Sequence, residues 1–135
     1  MVATALALTL FIAWTLGLLV LMEVLRSRLV LMGRVPSNGF APDNANLSPF
    51  MQRLARAHAN CLENLPVLGG LMLVALATGR QGVTDTLALW LVAARVVQTC
   101  IHLASVSVWA VNLRFAAFCV QIGIGIYWTW RLLTA

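Results

Sequence analysis

Four long apolar runs, separated by short polar breaks, restrict this chain to one kind of architecture. The first begins VATALALTLFIAWTLGLLVLM at residue 2, and the last reads RFAAFCVQIGIGIYWTWRLL from Arg114. A bilayer core takes about 20 helical residues per crossing, so 135 residues can hold about four crossings with short connections. Hydrophobic residues make up 61% of the chain and charged residues 10%, against roughly a half and a quarter in soluble domains. The expected fold is an all-α integral membrane protein, a four-transmembrane-helix bundle in a single domain over 1–135. Its helices are predicted at about residues 3–33, 48–78, 84–106 and 112–133. The first run is too long for a signal peptide's apolar core and lacks a convincing cleavage site.

The breaks carry their own chemistry. Residues 34–48, RVPSNGFAPDNANLS, are rich in Pro, Gly, Asn and Asp and form the longest loop. Ser48 followed by Pro49 suits a helix cap with proline in the first helical position. A short turn around Gly79-Arg80-Gln81-Gly82 leads to a third helix capped by Thr84 or Asp85, and a second break falls at about Ser105 to Asn112. Glu23 and Arg26, three residues apart late in the first helix, are expected to pair. Tyr127, Trp128, Trp130 and Arg131 read as an interfacial anchor.

The net charge of +5 comes from nine arginines and no lysine. No Lys/Arg-rich run exists that could bind nucleic acid; the arginines sit at helix ends and in polar stripes, which suits orientation, anionic lipid headgroups and an anionic ligand. Arg26, Arg28, Arg34, Arg53, Arg56 and Arg114 gather at the first and third connections, and Arg80 and Arg131 at the other end. The positive-inside tendency then places both termini on the non-cytoplasmic side. Cys61, Cys100 and Cys119 lack CxxC or CxxH spacing and read as small packing residues.

The second helix departs most from a plain anchor. At about 100° per residue, Arg53, Arg56, Asn60, Glu63 and Asn64 fall on one face, and His58 and Cys61 point elsewhere. The third helix carries Arg95, Gln98 and His102 on one face, and Arg114 opens the fourth. Polar groups inside a membrane face protein or trapped water. Glu63 either pairs with Arg95 or Arg56 to hold the helices together, or serves a ligand. Several arginines around one carboxylate leave excess positive charge, which suits a small polycarboxylate with an amino end. Two histidines on different helices and one glutamate make no metal-ligand spacing, and His102 has no acidic partner nearby for nucleophilic catalysis.

The pattern R-x-x-R-A-x-x-N-x-x-E-x-x-P, carried by Arg53, Arg56, Ala57, Asn60, Glu63 and Pro66, together with Arg95, Gln98, His102 and Arg114, resembles the MAPEG family, more closely its bacterial branch. The resemblance covers essentially the whole chain. It implies a glutathione-dependent membrane transferase or peroxidase acting on lipophilic electrophiles, with glutathione as cosubstrate. The alternative is a non-catalytic membrane binder or scaffold. The resemblance further implies a homotrimer in the bacterial inner membrane, in contact with lipids, with its sites between adjacent subunits. Arg56, Asn60 and Glu63 would bind glutathione and Arg114 would stabilise its thiolate; Arg34 is the nearest candidate for an arginine contributed from the first helix or loop. Arg53, Arg95, Gln98 and His102 complete the expected binding set. Asn64 stands where members often carry tyrosine, and Gln98 and His102 replace third-helix tyrosines.

Overall fold

The computed structural model describes residues 1–134; Ala135, the last residue of the expected domain, lies outside the described residues. Among them there is no strand, and four helices are long and apolar enough to cross a membrane: α1 (Ala3–Leu31), α2 (Pro49–Ala77), α3 (Asp85–Ala104) and α4 (Val108–Thr134). They run up and down, and α3 packs against both α1 and α4.

Local chemistry explains the helix ends. Ser48 Oγ accepts from the Met51 amide at 3.3 Å, with Pro49 in the first helical position, where its missing N–H costs nothing. Helices α1 and α2 both end on a left-handed glycine, Gly33 (φ 71) and Gly79 (φ 69). In each case the next amide reaches back, Arg34 N to Leu29 O and Arg80 N to Ala75 O, so free carbonyls are satisfied. The final break covers only residues 105–107, and α4 starts at Val108, ahead of the expected 112. Ser107 explains the early start, because its Oγ accepts from the Ala110 amide at 3.2 Å.

Two expectations are revised. Helix α2 is not regular throughout: Leu65–Gly69 forms a π turn. Pro66 lies within it, and proline has no N–H to donate and crowds the preceding turn, strain that a widened turn relieves. Asp85 does not cap its own helix. Its Oδ1 accepts from the Thr4 amide at 2.9 Å and from Thr4 Oγ1, so the carboxylate caps α1 from across the bundle. Thr84 is the residue before α3, but its side chain makes no cap bond.

At the opposite end the long loop is pinned by Arg26. Its guanidinium donates to Glu23 Oε1 at 3.3 Å, as expected of that pair, and to Asn44 Oδ1 at 2.6 Å. It also donates to the carbonyls of Ala41 and Pro42. Asn44 is buried with φ 58, and its amide donates to Met51 O at 2.7 Å. Arg26→Ala removes these contacts together and is expected to loosen the loop by about 2 kcal/mol. Limited proteolysis within residues 34–48 reads the change as faster cleavage.

Candidate functional site

The polar stripes meet in a groove of about 450 Å³ at the loop end of the bundle. Helix α2 contributes Arg56, Asn60 and Glu63, spaced i, i+4, i+7 on one face. Helix α3 contributes Gln98 and His102, one turn apart. Helix α4 contributes Arg114 and an apolar wall of Val111, Phe115 and Phe118. Six of the nine expected site residues therefore line one groove: Arg56, Asn60, Glu63, Gln98, His102 and Arg114.

The other three lie elsewhere. Arg53 turns aside, donating from Nε to Leu103 O at 2.9 Å at the end of α3, with its guanidinium 5.9 Å from the Phe50 ring. Arg34 lines a separate groove of about 460 Å³ with Arg28, Phe50 and Met51, between the ends of α1 and the start of α2. Arg95 is 1% exposed and sits behind the groove, 5.6 Å from the centre of the Phe11 ring.

Of the two alternatives for Glu63, the pairing with Arg95 or Arg56 does not form. Among the described residues the one ion pair is Glu23–Arg26. Arg95 instead donates to Asn60 Oδ1, and more weakly to Cys61 Sγ at 3.9 Å. Asn60 Oδ1 also accepts from Gln98 Nε2 at 3.1 Å. Gln98 Oε1 in turn accepts from Gln121 Nε2 at 2.8 Å. Gln121, on α4 and fully buried, was not anticipated as part of the site. The signal available was a lone amide inside an apolar span, which seeks a partner on another helix. Asn64, next to Glu63, spends its amide locally on Asn60 O at 2.8 Å.

Arg56, Glu63 and Arg114 are thus left lining the groove with no ion partner among the described residues. Two cations and one anion lining one groove, beside three apolar side chains, can hold a ligand with carboxylates, an ammonium and an apolar companion. Below Glu63 and Phe118 the α2/α4 seam opens again as an apolar furrow of about 400 Å³, lined by Val67, Leu71, Ile122, Ile126 and Trp130 among others. Among the described residues, no three His, Cys, Asp or Glu side chains gather into a metal-binding group.

Comparison with curated proteins and with solved structures gives no match. The model of the MAPEG family, in contrast, matches residues 4–134. With all but the first residue of the four spans and the whole groove inside that match, the chain belongs to the MAPEG family, whose members include glutathione transferases and peroxidases.

Proposed function

We propose that this protein is a glutathione-dependent membrane transferase or peroxidase acting on lipophilic electrophiles. The observation that carries the reading is the groove in which Arg56, Arg114 and Glu63 converge without ion partners among the described residues. Glutathione supplies the complementary groups: two carboxylates for the guanidinium groups and one ammonium for Glu63. A free thiol has a pKa of about 8.5, and a guanidinium beside the sulfur favours the thiolate, which is the nucleophile. Arg114 takes that role, while Arg56, Asn60 and Glu63 hold the tripeptide and His102 borders it.

In a transferase reaction the thiolate sulfur forms a bond to the electrophilic carbon, and the leaving group or opened ring takes the electron pair and a proton. In a peroxidase reaction the thiolate attacks the O–O bond, giving an alcohol and an oxidised sulfur that a second glutathione converts to disulfide and water. Phe115, Phe118 and the furrow along α2 and α4 suit the apolar acceptor, which reaches them from the bilayer.

The working form is a homotrimer of single-domain chains in the bacterial inner membrane, with both termini on the non-cytoplasmic side. In that assembly Arg34 meets the groove of a neighbouring copy. Within one chain Arg34 and Arg53 lie off the groove.

Calorimetric titration of the purified protein with glutathione tests the reading. Binding is expected in the millimolar range or tighter, and Glu63→Gln is expected to weaken it about tenfold by leaving the ammonium unpaired. Absence of binding at millimolar glutathione would reject the reading. Binding with no thiolate absorbance near pH 7 would favour a non-catalytic membrane binder, which the missing tyrosine at Asn64 also suits.

A further inference from the structure

The buried hydrogen bonds behind the groove have a direction, and it is imposed from both ends. Arginine can only donate, so the atom of Asn60 that meets Arg95 is its carbonyl oxygen. Gln98 approaches the same oxygen and must offer its NH₂ group, which turns its own carbonyl toward α4. Gln121 must then donate to that carbonyl. Independently, the Gln121 NH₂ group also meets Ala117 O at 3.1 Å, which can only accept. The two anchors, a guanidinium and a backbone carbonyl, agree on one orientation for all three amides.

Two further observations fit this imposed polarity. Gln121 Oε1 is buried without a partner. Rotating the amide would bring that oxygen against two acceptors, so the orphan is the cost of the orientation. Among the described residues Asn60 Nδ2 donates to no group; it is not enclosed, and Asn60 lines the groove.

We propose that Arg95, Gln98 and Gln121 form a positioning relay that fixes Asn60 as a hydrogen-bond donor to the groove. The relay selects a ligand bearing a carboxylate or amide carbonyl at that point and rejects one bearing a donor. Arg95 thereby acts on the ligand through Asn60, without touching it. The ligand half of this assignment rests on the glutathione reading; the direction of the relay does not.

Asn60→Asp separates the two. An aspartate keeps an acceptor toward Arg95 and Gln98, and adds a counter-charge to a guanidinium whose Nε and Nη2 lack partners. Toward the groove it replaces a donor with a second acceptor. In the full-length protein, Asn60→Asp is expected to raise the thermal midpoint by about 4 °C or more, and Asn60→Leu to lower it. Asn60→Asp is also expected to weaken glutathione binding at least tenfold. Gln121→Leu, which leaves Gln98 Oε1 without its donor and loosens the Gln98 side chain, is expected to raise the KM for glutathione about fivefold with kcat unchanged.

A midpoint for Asn60→Asp at or below that of Asn60→Leu would overturn the relay. So would glutathione binding by Asn60→Asp within about twofold of the parent protein. A Gln121→Leu variant with lower kcat and unmoved KM would remove Gln121 from it. If the parent protein binds no glutathione, the functional reading fails, while the melting comparison still decides the relay.

Discussion

Arg114→Ala is expected to cut glutathione-dependent conjugation at pH 7 by about 30-fold. The size follows from ionisation: a thiol at its solution pKa of about 8.5 is only about 3% thiolate at pH 7. The guanidinium lowers that pKa by stabilising the anion, so its removal moves the pH dependence upward, toward that of free glutathione. The loss is therefore greatest at neutral pH and shrinks as pH rises through about 8.5, and a pH-rate profile on a generic electrophile shows it directly. A uniform loss at every pH would assign Arg114 to binding alone, and unchanged activity would remove it from the site. Its position supports the larger role, since it lines the same groove as Glu63 with no ion pair of its own among the described residues.

Trp128→Ala is expected to be the most destabilising single change in the molecule, by about 3 kcal/mol. Trp128 is 0% exposed and packs with Phe11, Leu68, Met72 and Leu91 where α1, α2, α3 and α4 converge. Lipid is as apolar as the core, so little of the loss comes from the hydrophobic effect. The cost is the cavity and its forfeited packing contacts. Thermal unfolding in detergent measures it, with Trp130→Ala as the control. Trp130 is 66% exposed, and its truncation is expected to shift the midpoint far less.

Trp128 also shows where pattern reading stops. As one of four residues at the end of the last run it looked like part of an interfacial anchor. Tyr127, Trp130 and Arg131 are exposed there, and Arg131 donates to the Tyr127 hydroxyl at 2.8 Å. Trp128 alone turns inward. In a helix that is apolar all round, hydrophobicity carries no information about which face meets protein and which meets lipid. The same blindness concealed Gln121, whose partner on α3 is 23 positions away in the chain.

Charge was legible in a different way. The i, i+3 spacing of Glu23 and Arg26 was enough to pair them, because both sit on one helix. Glu63 and Arg95 lie on different helices, and opposite sign was a poor guide to their geometry. The position opposite Arg95 is filled by Asn60, which satisfies the guanidinium with an amide oxygen and leaves Glu63 free toward the groove.

By itself, then, the sequence determined the membrane class, the four spans, and which residues on each helix share a face, because these follow from run length and from a period of about 3.6 residues. It also held the pattern by which the family is identified. Only the tertiary structure decided that Arg95 stands behind the groove while Arg56, Glu63 and Arg114 face it, and that Gln121 joins the buried chain of amides. Those outcomes depend on how each helix is rotated about its own axis against its neighbours. That rotation is set by packing among side chains far apart in the chain, which no local spacing records.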